Sequence, residues 1–96
     1  MRPSEAFEKN RALIRDMVAR HKSANPRVFG SVLHGTDTEG SDVDILVDAL
    51  PGTTLFDLGG LQVRLEEALG VPVQVVLPTE LHPFYRETVL AEAKPV

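Results

Sequence analysis

Two aspartates separated by a single residue, Asp42 and Asp44, follow a glycine–serine pair, Gly30-Ser31, after ten intervening residues. On a strand, side chains two positions apart leave the same face, with Cα atoms roughly 6–7 Å apart. Two carboxylates so placed can share one divalent cation or two. The chain has no cysteine, and all-oxygen ligands favour Mg2+ or Mn2+, with substrate phosphates and waters completing an octahedral shell. A pair of this kind calls for a phosphorylated ligand. Taken alone, the spacing is better read as a strand-entry or capping residue followed by a solvent-facing one.

Gly30-Ser31 is a second element. Glycine lets the backbone approach a ligand closely, and a serine opening a helix offers its hydroxyl and nearby N–H groups to an anion. The plain structural reading of the same dipeptide is a turn and a helix N-cap. Phosphate held there would be joined through metal to the aspartates.

The elements that must position these residues can be read from periodicity. Ser4 to about His21 reads as one amphipathic helix with Ser4 as N-cap and Phe7, Ile14, Met17, Val18 and His21 on a face, ended by Asn25-Pro26. Arg27–Phe29 is a short β-prone run that stops at Gly30-Ser31. Val32–His34 makes a helical turn closed by Gly35. Residues 42–47 alternate and then become the apolar run Ile45-Leu46-Val47, a central strand entered through its acidic end. Leu58, Leu61, Leu65 and Leu69 stripe a helix over 57–69 with Gly70 as its stop and Gly59-Gly60 weakening its start. Val71–Leu77 reads as a third strand, confined by Pro72 to an edge or a strand beginning. Leu81–Lys94 reads as a last helix with Pro83 in its first turn. This order predicts an α/β (α+β) fold, a small mixed sheet with helices packed on it.

Ninety-six residues make one domain, 1–96, because two cores of half that size would each bury too little. Apolar residues at 43% and charged residues at 25% predict a folded globular chain. The net charge of −4 disfavours a long nucleic acid, whose affinity comes from Lys and Arg on phosphates, so direct nucleic-acid binding is not expected. No apolar run approaches the roughly 20 residues of a membrane span, and the start MRPSEAFEKN has no signal-peptide pattern, so a cytoplasmic protein is expected. His21, His34 and His82 are too scattered for a histidine metal site. Core packing is expected for Phe84, and solvated positions for Asp37 and Glu39.

Gly30-Ser31, the ten residues 32–41, and Asp42-Val43-Asp44 together resemble the G-S-x10-D-x-D signature of the DNA polymerase β-like nucleotidyltransferase superfamily. Gly35 and Ser41 also match positions frequent within it. The leading helix, the strand after Asp44, the leucine-rich helix, the V-x-V-V strand and the last helix extend the similarity to the minimal nucleotidyltransferase (MNT) antitoxins over nearly the whole chain. The resemblance implies that Gly30, Ser31 and Ser41 bind a nucleotide, ATP, and that Asp42 and Asp44 hold Mg2+ or Mn2+. It implies two metal ions stabilising the attacking and leaving oxygens of an in-line displacement, with pyrophosphate leaving. It further implies a HEPN ribonuclease toxin as partner in a hetero-oligomer, and transfer of AMP to a toxin tyrosine.

Two positions depart from that pattern. The superfamily usually places a third acid on the last strand in a V-D-x-V context, where it helps to deprotonate the acceptor. Here Val73-Gln74-Val75-Val76 has Gln74, whose amide can coordinate Mg2+ but is no base near neutral pH. His34 stands before Gly35 where relatives often carry arginine. Two other functions therefore stand beside protein adenylylation. One is a binding module that neutralises a toxin by contact alone. The other is a small-molecule nucleotidyltransferase, for which the chain lacks room to hold an acceptor unless a second chain supplies it.

Overall fold

The computed structural model describes residues 1–96. Two helices, α1 (Pro3–Lys9) and α2 (Arg11–Arg20), stand where the periodicity predicted one. The break is at Asn10, with φ −123° and ψ 19°, where the side-chain Nδ2 donates to the Ala6 carbonyl at 2.8 Å while the backbone N–H turns to the Phe7 carbonyl at 3.1 Å. This is the local competition that makes asparagine a poor mid-helix residue. The N-cap is Arg2; Ser4 lies inside the first turn. Both helices still bury the expected stripe, with Phe7, Ile14 and Val18 at most 2% exposed.

Strand β1 (Ser23–Phe29) begins earlier than the sequence suggested. Asn25-Pro26 does not end a helix; it lies within β1, between Ala24, paired with Asp48, and Arg27, paired with Leu46. One extra residue on this side is a bulge, and Asn25 supplies the left-handed backbone (φ 53°) it needs. A five-residue helix α3 (Gly30–His34) follows directly, capped by Gly35 in the left-handed region. An exposed loop then leads to β2 (Val43–Ala49).

Thr54 caps α4 (Leu55–Leu69) by accepting from the Asp57 N–H, while Asp57 accepts from the Thr54 N–H. This reciprocal pair satisfies two N-terminal donors. Strand β3 (Val73–Val76) leads through a 3-10 turn at Pro78–Glu80 to α5 (Pro83–Glu92) and a two-residue β4 (Lys94–Pro95). Neither the 3-10 turn nor β4 was foreseen from periodicity, because both are shorter than any repeat it could register.

The sheet order is β3-β2-β1-β4, with β2–β3 parallel and β1 antiparallel to both its neighbours. The mixed sheet predicted from sequence is thus present, with β2 in its interior and the Pro72-led strand at an edge. Val43, Ile45 and Val47 of β2 turn into the main core with Ile14, Val18, Leu61, Leu65 and Leu69. Asp44, Leu46 and Asp48 alternate to the opposite face. Gln62 and Glu66, one turn apart on α4, accept from the Val75 and Val73 N–H groups at 3.0 and 3.2 Å. These bonds occupy the edge donors of β3 that would otherwise invite another strand. Phe84, expected in the core, is 91% exposed, and no residue of α5 is buried. The apolar volume is already filled by α1, α2 and α4.

Candidate functional site

The site is built where β1 ends and β2 begins. Phe29, the last residue of β1, pairs with Asp44 on β2, and Asp44 pairs on its other side with Gln74 of β3. In-register neighbours point to one face, so Asp44 and Gln74 share the face opposite the main core. Asp42 lies just ahead of β2, which is pinned at its start by the Val43 N–H donating to the Pro72 carbonyl at 2.9 Å.

After Phe29 the chain must turn at once beside Asp44, which dictates the residue at position 30. Gly30 has φ 73°, and a Cβ added there would overlap Asp44 Oδ2 and lie 3.3 Å from its Cγ. Glycine is therefore required both by conformation and by the carboxylate packed against it. Ser31, in the first turn of α3, follows immediately and is partly exposed.

Burial, and secondarily the negative charge of Asp42, raises the Asp44 carboxyl from 3.8 to about 6. Asp42 is thus close enough for its charge to act on Asp44. The ion pairs of the fold engage Asp37, Glu8, Asp16, Asp48 and Glu92, and leave Asp42 and Asp44 without a basic partner. Two neighbouring carboxylates whose charges act on each other, with no basic partner to offset them, supply hard oxygen donors that fit a divalent cation. The pair is not joined by a third acid or a histidine; Gln74, exposed, is its neighbour in register.

Other sequence-marked residues are engaged elsewhere. Ser41 Oγ accepts from the Thr38 N–H at 3.0 Å and lies 3.3 Å from Thr38 Oγ1, so it shapes the loop before Asp42. Asp48 binds Arg27 at 2.6 Å and Asn25 at 3.0 Å, at the far end of β2. His34 Nε2 meets Glu92 at 3.0 Å beside a cavity of about 350 Å3 lined also by Leu33, Ala91 and Lys94. That cavity includes neither aspartate; at the site itself Asp42 and Gln74 are exposed and Asp44 is half-buried. Asp37, expected to be solvated, is only 4% exposed and bonded to Arg2 and Ser4. Its partners lie 33 and 35 residues away in sequence, and no local signal could have found them.

Comparison with known proteins bears on this arrangement directly. Residues 11–96 match the nucleotidyltransferase domain family. A protein of Methanocaldococcus jannaschii named for protein adenylyltransferase activity is 36% identical over 77 residues, covering 80% of this chain and 83% of that protein. The protein adenylyltransferase MntA of Thermococcus cleftensis is 42% identical over 65 residues, 68% of this chain and 66% of that protein. Among solved structures, one described as a minimal nucleotidyltransferase superposes with a TM-score of 0.86 at 42% identity, covering 97% of this chain and 95% of the other. A toxin–antitoxin crystallised with AMP-PNP superposes with a TM-score of 0.75 at 25% identity, covering 90% and 71%. With its fold, its carboxylate pair and these matches in agreement, the chain belongs to the nucleotidyltransferase domain family and, within it, to the minimal nucleotidyltransferases.

Proposed function

We propose that this chain transfers AMP from ATP to a hydroxyl of a partner toxin, in the first instance a tyrosine of a HEPN ribonuclease, and acts as its antitoxin in the cytoplasm. The observation that carries the reading is the pair Asp42 and Asp44, without a basic partner in the chain, with the Asp44 carboxylate packed against Gly30 immediately before Ser31. The names of the adenylyltransferase relatives and the nucleotide-analogue complex of a toxin–antitoxin neighbour support the choice of nucleotide and partner. No helix is long and apolar enough to cross a membrane.

In this reading Asp42 and Asp44 would hold Mg2+, which when bound would neutralise charge on the triphosphate and on the leaving group. The Ser31 hydroxyl donates to a phosphate oxygen. Gly30, lacking a side chain, lets the Asp44 carboxylate sit against the turn. The acceptor oxygen forms a bond to the α-phosphorus as the bond to the bridging oxygen breaks, and pyrophosphate and the hydroxyl proton are released. Gln74 can orient water or acceptor by hydrogen bonds but cannot take that proton.

The test is transfer of label from α-phosphate-labelled ATP to the partner. Label on the toxin with the wild-type chain, lost in Asp42→Asn with Asp44→Asn, is expected. One observation favours a second reading, neutralisation by contact alone: an amide, Gln74, stands in register beside Asp44 where a base would serve transfer. That reading requires the double variant to keep forming the complex and protecting cells, with no label in either protein.

A further inference from the structure

The loop from Gly35 to Asp42 joins the helix that carries Ser31 to the strand that carries Asp44. Of its residues only Asp37 is buried; Gly35, Thr36, Thr38, Glu39, Gly40 and Asp42 are exposed. Both Asp37 carboxylate oxygens are engaged, Oδ1 by Arg2 Nη2 and Oδ2 by the Ser4 N–H, each at 2.9 Å. Arg2 Nη2 also donates to the Asp37 carbonyl at 2.9 Å. The segment that holds the loop is itself fixed, because Pro3, Ala6 and Phe7 of α1 are buried in the core.

We infer that Asp37 is a positioning residue, which through Arg2 and Ser4 clamps the Gly35–Asp42 loop to α1 and so sets where Asp42 stands relative to Asp44. The inference rests on the nucleotide-site reading above. Without the clamp the loop is fixed only at its ends, by the Thr36 N–H on the Ser31 carbonyl at 3.0 Å and, beyond Asp42, by the Val43 N–H on the Pro72 carbonyl at 2.9 Å; the turn from Thr38 to Ser41 is closed within the loop itself. Between Thr36 and Asp42 no other hydrogen bond ties it to the body. An aspartate at the end of an untied loop loses the alignment that a shared cation requires, whereas Asp44, on an interior strand, does not.

Asp37→Ala and Arg2→Lys in the full chain test the clamp, with Mg2+ and ATP titrated calorimetrically beside thermal unfolding of each variant. Folded Asp37→Ala is expected to bind Mg-ATP roughly tenfold or more weakly, in line with the cost of ångström-scale misplacement, and to need more Mg2+ for half-saturation. Arg2→Lys, which keeps the cation, is expected to recover most of the affinity. A role in stability alone would lower the melting temperature and leave the affinity of folded molecules unchanged. Affinity and Mg2+ requirement within twofold of wild type in folded Asp37→Ala therefore overturn the clamp while the site stands. If Asp37→Ala does not fold, Arg2→Ala, which leaves the Ser4 bond, is held to the same criterion. A wild-type chain whose Mg-ATP binding is absent, or is indifferent to Asp42→Asn, overturns the site and the clamp together.

Discussion

Replacing Asp44 by asparagine should stabilise the unliganded protein while destroying its site, and the size of the gain follows from the structure. The Asp44 carboxyl titrates near 6 in the fold, against 3.8 ordinarily, because it is half-buried and faces Asp42. A raised carboxyl means that the folded state binds the proton more tightly than the unfolded chain. Stability therefore falls as pH rises from about 4 to about 6 and stays low above that range. For a fully buried group a displacement of about two pH units is worth about 3 kcal/mol. Solvent still reaches Asp44, so about 1–1.5 kcal/mol is the reasonable expectation. In a domain of this size that is roughly 5 °C or more in melting temperature. Asn keeps the shape beside Gly30 and removes the charge. Thermal and urea unfolding of wild type and Asp44→Asn at pH 7.5 and pH 4, without divalent ions, should show the variant more stable at pH 7.5 and the difference nearly gone at pH 4. A variant less stable than wild type at pH 7.5, or a gain that is the same at both pH values, would refute the reasoning.

Two further perturbations probe how the site and its frame are held. Gly30→Ala should destabilise by about 2 kcal/mol or more, since a left-handed alanine costs roughly 1–2 kcal/mol and its Cβ would overlap the Asp44 carboxylate; denaturant midpoints measure it, and a near-neutral result would show that the turn can relax. Gln62→Ala with Glu66→Ala should cost roughly 1 kcal/mol per lost bond to β3 and raise self-association through the freed edge; light scattering at increasing protein concentration checks the second part, and a variant that stays monodisperse would assign the edge protection to Pro72 alone.

Much of the frame was legible because it is written locally. The alternation through Val43, Ile45 and Val47 assigns β2 its core face, and the leucine stripe of α4 assigns its buried side. Gly35 and Gly70 both take the left-handed backbone expected of helix stops. Asp44 stands on β2 directly after Asp42, with Gly30-Ser31 at the end of the adjoining strand. Where local signals misled, a longer-range contact or a backbone exception had won. Asn25-Pro26 looks like a helix end, yet the partner strand continues past it and accommodates it as a bulge. Phe84 looks like core, yet helices earlier in the chain had already covered the core face of the sheet, and Phe84 is left exposed.

The amino-acid order alone settled the main strands, the leucine-striped helix with its glycine stop, and the alternation that turns Val43, Ile45 and Val47 to the core and Asp44 away from it, since φ, ψ and side-chain alternation are properties of short stretches. The register that sets Gln74 beside Asp44, the burial that lifts Asp44 to about 6, and the hold of Arg2 and Ser4 on Asp37 exist only once distant segments meet. Burial and pairing depend on what lies across the gap between elements, and that information is spread over separations of 30 residues and more, beyond the reach of any local pattern.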